Sequence, residues 1–162
     1  MIIQLTPGEI LEGSITGAMR QVKAIRKGFQ AKNGQEPTTQ WQNHIEGALA
    51  ERAVSKHLSL YCNGIGIVGG PDVGADIEVR CAPYDHLRLI LHKPPGVVGE
   101  KGDDPDAVFW FVTGLNGRYN LRGKIRARDG QKKEFWSNPA NRDDGHAYFV
   151  PTHLLHPIDA QI

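Results

Sequence analysis

The segment Pro71-Asp72-Val73-Gly74-Ala75-Asp76-Ile77-Glu78-Val79-Arg80 joins a turn signal to a strand signal. Pro71 and Gly74 can bend the chain inward. In its second half, strand alternation puts Asp76, Glu78 and Arg80 on one face and Ile77, Val79 and Cys81 on the other. An apolar face anchors such a strand. Two carboxylates and a cation on the opposite face are the groups a protein uses to hold Mg²⁺ against a phosphate. The plainer reading is a solvated face with a local ion pair.

Working outward, Thr6-Pro7-Gly8-Glu9 reads as a helix start, with Thr6 as N-cap, Pro7 at the first helical position and Glu9 closing a capping box. Ile10, Leu11, Ile15, Met19, Val22 and Ile25 recur at helical spacing as a candidate apolar face, and Gly28 is a stop. After a polar loop over 30–39, a second helix is predicted from Gln40 to Leu58, with Trp41, Ile45, Leu49, Ala53 and Leu58 as its inner face. From Leu60 onward, Gly and Pro separate short β-like runs. Strands are predicted near 60–62 or 65–68 and over 76–82, 87–92, 108–114 and 118–128, with a last one at 148–151. Val108-Phe109-Trp110-Phe111-Val112 is apolar throughout, as a central strand covered on both faces should be. Lys132–Trp136 and Thr152–Leu155 read as short helical turns, and 94–106 as a loop.

The predicted architecture is thus α/β (α+β): two N-terminal helices packed on a mixed β-sheet. One domain spans 1–162, with a helical part over 1–58 and a mainly β part over 59–162. Its 162 residues suffice for one core, and no apolar run is long enough to span a membrane. The N-terminus shows no basic region followed by an apolar core, and Cys62 and Cys81 form no Cys-x-x-Cys pair. A cytoplasmic protein with reduced thiols and no structural zinc is expected.

The net charge of +1 conceals clustering, because residues 118–133 hold seven cations against Asp129 alone. Arg118, Asn120, Arg122, Lys124, Arg126 and Arg128 occupy even positions. On one uninterrupted strand they would form a basic row suited to backbone phosphates, or an edge protected from aggregation. Gly64-Ile65-Gly66-Ile67-Val68-Gly69 matches a dinucleotide glycine pattern, but Gly70-Pro71 follows where a helix should begin. His146, His153 and His156 lack the partners of a zinc site, and Trp110, Trp136 and Tyr148 read as core.

A helix bearing Glu51, then Pro71-Asp72, then Glu78-Val79-Arg80 on a strand resembles the PD-(D/E)XK nuclease superfamily over roughly 42–92. Tyr148-Phe149-Val150-Pro151 followed by Leu155 and Pro157 looks like small bacterial or phage proteins. The resemblance implies a restriction-endonuclease-like core and a divalent-metal-dependent endonuclease hydrolysing DNA. Asp72, Glu78 and Arg80 would be catalytic; Glu51, Asp72 and Glu78 would hold Mg²⁺ (or Mn²⁺). Arg122, Lys124, Arg126 and Arg128 would grip nucleic acid, and a homodimer could cut both strands. Asp76 competes with Asp72, and Glu46 with Glu51. Two departures stand out. Arg80 replaces the family's Lys and cannot accept a proton, and 94–106 offers a loop where the family carries a helix. The rival readings are an inactive nuclease-like nucleic-acid-binding protein and a protein-interaction or inhibitor module.

Overall fold

The computed structural model describes residues 1–28, 37–61, 71–96, 102–141 and 145–162. The elements are β1 (Ile2–Gln4), α1 (Pro7–Arg26), α2 (Gln40–Leu58), β2 (Ile77–Ala82), β3 (Leu89–Leu91), β4 (Val108–Leu115), β5 (Arg118–Arg126), α3 (Ala127–Gly130), β6 (Trp136–Ser137) and β7 (Ala147–Val150). Single 3₁₀ turns lie at Pro37–Thr39, Lys133–Phe135 and Thr152–Leu154. The fold is α+β, with a four-stranded mixed sheet ordered β1-β5-β4-β2 and a three-stranded antiparallel sheet ordered β3-β7-β6. Among the described strands, only β2 and β4 run parallel. The glycine pattern at 64–69, the alternative strand at 65–68 and Cys62 lie outside the described residues.

The four-stranded sheet is the middle of three layers. On one side α2 contributes Leu49, Ala50, Ala53 and Val54 to a core with Val79, Trp110, Val112, Tyr119 and Leu121. On the other, Phe109, Phe111 and Ile125 pack against Leu89, Leu91 and Val150 of the second sheet. The apolar run at 108–112 is therefore buried on both faces, as expected.

The predicted start of α1 is present: Thr6 Oγ1 accepts the Glu9 amide at 3.3 Å, and Glu9 Oε2 accepts the Thr6 amide at 2.6 Å. Of its apolar residues at helical spacing, Ile10 packs against the core, but the others do not mark the inward face. Gly13, Gly17 and Gln21 are buried, whereas Leu11, Ile15, Met19, Val22 and Ile25 are exposed. Close packing against α2 explains this inversion. A Cβ added to Gly17 would lie 2.6 Å from both the His44 carbonyl oxygen and the Ile45 amide nitrogen, so the two backbones nearly touch. Of the predicted inner face of α2, Leu49 and Ala53 are buried and Ile45 and Leu58 pack against the core, while Trp41 is exposed; Glu46, Ala48, Ala50, Glu51 and Ser55 are buried as well.

These glycines separate propensity from packing. Gly17→Ala gains about 1 kcal/mol of helix propensity, but overpacking two backbones costs about 1–3 kcal/mol or more. Net destabilisation is expected in urea unfolding. Gly47→Ala, whose Cβ would meet nothing within 4 Å, is expected to stabilise by about 0.5–1 kcal/mol.

The basic row is also divided. The β4–β5 register shifts between Phe111 and Val112: Phe111 faces Gly123, while Val112 faces Leu121. This β-bulge makes the strand change faces. Tyr119 and Leu121 enter the helix-side core, yet beyond the bulge Ile125 enters the opposite one. Lys124 and Arg126, opposite Trp110 and Val108, accordingly lie on the helix side, whereas Arg118 and Asn120 lie on the other. Strand alternation was sound on either side of the bulge, but it could not reveal the extra residue between.

Candidate functional site

The edge strand β2 delivers Ile77, Val79 and Cys81 to the helix-side core and turns Glu78 and Arg80 the other way. Gly74, with φ at 63°, makes the tight turn before it, and Val73 and Ile77 form an isolated antiparallel bridge across that turn. The turn brings Asp72 alongside the strand, where its Oδ2 accepts the Val79 amide at 2.8 Å. An amide that would otherwise sit open on a sheet edge is thereby satisfied. Asp76 lies within the turn with an exposed side chain.

Asp72 stands between two other carboxyl groups. Glu78 is near enough to feel its charge. Burial, then the Asp72 charge, pushes the Glu78 pKa up to about 7, and Arg80 opposes the rise. Glu51, buried on α2, is likewise raised by desolvation and by Asp72, against the pull of Arg20. Both Glu51 oxygens are held by Arg20 of α1 in a two-pronged pair, Nη1–Oε1 and Nη2–Oε2 each at 2.6 Å. Glu51 thus faces the acidic pair with its lone pairs already engaged.

Glu46, one turn earlier, belongs elsewhere. It accepts hydrogen bonds from the buried Tyr119 hydroxyl, from Gln42 Nε2 at 2.6 Å and from the Asn116 amide at 3.3 Å. These contacts tie α2 to the β4–β5 turn, and burial first, then the bond to Glu46, raises the Tyr119 hydroxyl pKa.

Arg80 is fixed from two sides. Its Nη2 donates to Asp103 Oδ1 at 2.7 Å, and its guanidinium lies 4.8 Å from the centre of the Phe109 ring. Asp103 is buried and also accepts the His92 amide at 2.8 Å, so its position is set by backbone. Sequence reasoning missed both Arg20 and Asp103 as partners, because each ion pair spans more than twenty residues with no local signal. Arg80 also borders a cavity of about 430 Å³ between the two sheets, with Phe111, Ile90 and Phe149 in its lining and Arg88, His92 and His146 as further polar groups.

The predicted strand over 118–128 ends at Arg126, and Arg128 lies on α3; Arg122, Lys124, Arg126 and Arg128 each have partners of their own. Arg122 pairs with Asp85 at 2.9 Å, Arg128 pairs with Asp106, and Lys124 sits 5.1 Å from the Trp110 ring centre. Arg126 donates to the Asp106 and Ile162 carbonyl oxygens at 2.9 and 3.1 Å. Cys81 is an inert thiol, with burial first and Glu46 second pushing its pKa up to about 12.

Among the described residues, no three His, Cys, Asp or Glu side chains form a ready-made metal cage. Mg²⁺ needs less. It keeps several waters and commonly takes one or two protein carboxylates plus substrate phosphate. The Asp72–Glu78 pair fits that donor set, and Glu51, committed to Arg20, fits it less well. No described helix is long and apolar enough to cross a membrane. In comparisons with protein-family models, with curated proteins and with solved structures, the chain finds no match.

Proposed function

We propose that this protein is a divalent-metal-dependent nuclease acting on DNA, built on a restriction-endonuclease-like core. One observation carries the reading: Asp72 and Glu78 come together at β2, the last strand of the described four-stranded sheet, near enough that the Asp72 charge helps to raise the Glu78 pKa, with Arg80 on the same strand beside them. Carboxyl groups held that close repel when both are ionised, and a cation between them relieves the repulsion. Mg²⁺ or Mn²⁺ bound there would polarise a phosphate and acidify a water.

The protein's residues would do the rest. Asp72 is oriented by the Val79 amide, so one of its oxygens is fixed in space. Arg80, held by Asp103 and Phe109, would grip a phosphate oxygen and offset charge developing on phosphorus. A guanidinium offers donors and no acceptor, so proton removal from the attacking water falls to another group. Arg20 would keep Glu51 from collapsing onto the acidic pair. Among Arg122, Lys124, Arg126 and Arg128, Lys124 is engaged with a ring rather than an oxygen, so of these four it would give up least on meeting a phosphate.

A second reading is favoured by Arg80 itself: a nuclease-like fold that binds nucleic acid without cutting it. A panel of single-stranded, duplex and junction DNA in Mg²⁺ and Mn²⁺ separates the two. Metal-dependent cleavage reduced at least about 100-fold by Glu78→Gln is expected, since removing one transition-state group typically costs that much. Salt-sensitive DNA binding with no cleavage in any metal would leave only the second reading. Absence of salt-sensitive binding would remove both and favour an interaction or inhibitor module.

A further inference from the structure

The exposed face of α1 follows a rule that its buried face does not. Leu11, Ile15, Ala18, Val22 and Ile25 are spaced 4, 3, 4 and 3 residues apart, the a/d repeat of a two-helix seam. The four large side chains are 62%, 53%, 45% and 54% exposed. Gly13 and Gly17, which pack against α2, lie toward the far side of the helix, and Gln21, also buried, borders the stripe. Ala18 marks the middle of the stripe, where a small side chain permits close approach.

Charge selects the occupant. One flank of the stripe carries Glu12 near its start and Lys23 and Arg26 near its end, with Met19 between them. The side chain of Glu12, although paired with Arg52, is still 64% exposed. Two copies of α1 packed antiparallel bring equivalent flanks together with opposite polarity, so that Glu12 of each copy meets Arg26 of the other. A parallel pair would set this flank against the other one, where Ser14 is uncharged and Gln21 is buried and bonded to Gln40 of α2, so that no opposite charge is met.

We propose that the exposed face of α1 is a homodimer interface in which two copies pack antiparallel about Ala18. This proposal stands independently of the nuclease reading. The stripe spans fourteen residues, roughly 21 Å of helix, so the area is at the small end for a specific interface and a micromolar dimer is expected.

Sedimentation equilibrium of the full chain from about 1 µM to about 1 mM should show a monomer–dimer transition. Ile15→Glu combined with Val22→Glu, checked for native circular dichroism, should leave a monomer throughout. Glu12→Arg or Arg26→Glu alone should each weaken association about tenfold, and the double exchange should restore it. A wild-type chain monomeric at every concentration would overturn the proposal. So would a dimer indifferent to Ile15 and Val22, or single charge reversals that the double exchange does not rescue.

Discussion

Glu46→Ala is expected to lower the unfolding free energy by about 2–4 kcal/mol, the cost of stranded neutral donors together with a cavity. The carboxylate serves three donors from two parts of the chain: Gln42 within α2, and Asn116 and Tyr119 at the β4–β5 turn. Deleting it strands a fully buried tyrosine hydroxyl, and each unsatisfied buried group costs about 1–3 kcal/mol. It also opens a cavity under the helix. Tyr119→Phe removes a single donor and should cost less, about 1–2 kcal/mol. The double variant tests whether the two act as one unit: if their effects simply add in urea unfolding, the network account is wrong.

Stability should fall as pH rises from about 4.5 to about 7, and Mg²⁺ should restore it at the alkaline end. In the folded chain the Glu78 pKa is about 7 against 4.5 for a free side chain. The fold therefore binds that proton more tightly than the unfolded chain does. Below about 4.5 both states are protonated and Glu78 carries no penalty. Through about 7 the folded state must ionise next to Asp72, and stability is lost. Glu51, raised in the same direction, adds to the loss, whereas Glu9 and Asp85, lowered by their partners, act with opposite sign in acid. Because Glu78 is only half-buried, solvent discounts the effect to about 1 kcal/mol, or roughly 3 °C in melting temperature for a chain of this size. Glu78→Gln should flatten the pH profile. Thermal melts at pH 8 with and without millimolar Mg²⁺ give the second half of the test. Stabilisation by the metal in the wild type, lost in Glu78→Gln, is expected, and no metal effect at pH 8 would remove Asp72–Glu78 as a metal site.

Local signals were read well from the sequence. The Thr6–Glu9 capping box, the extent of α2 and the doubly buried run at 108–112 each depend on neighbours within a few positions. Pro71 and Gly74 announced the turn that carries Asp72 to the strand. What escaped was relational. Periodicity shows that a helix has an apolar side, and it is silent on whether that side meets the protein's own core. On α1 the glycines were the inward face, because backbone proximity mattered more there than apolar area. The ion pairs Arg20–Glu51 and Arg80–Asp103 were out of reach for a similar reason, since only the tertiary fold brings their partners together. For Glu46 and Glu51, two acids of similar appearance, the decisive difference is which neighbours fill their lone pairs.

The bulge opposite Phe111 and Val112 has a consequence for how β5 must be counted. On either side of it the strand feeds a different interior: Tyr119 and Leu121 one, Ile125 the other. The number of residues between the Asn116–Gly117 turn and α3 is thus fixed by parity as well as by reach. One residue fewer would carry Ile125 out of its core and a lysine or arginine into it. The supernumerary residue is the clutch that lets a single strand, turned out of phase with itself, mesh with two unlike partners.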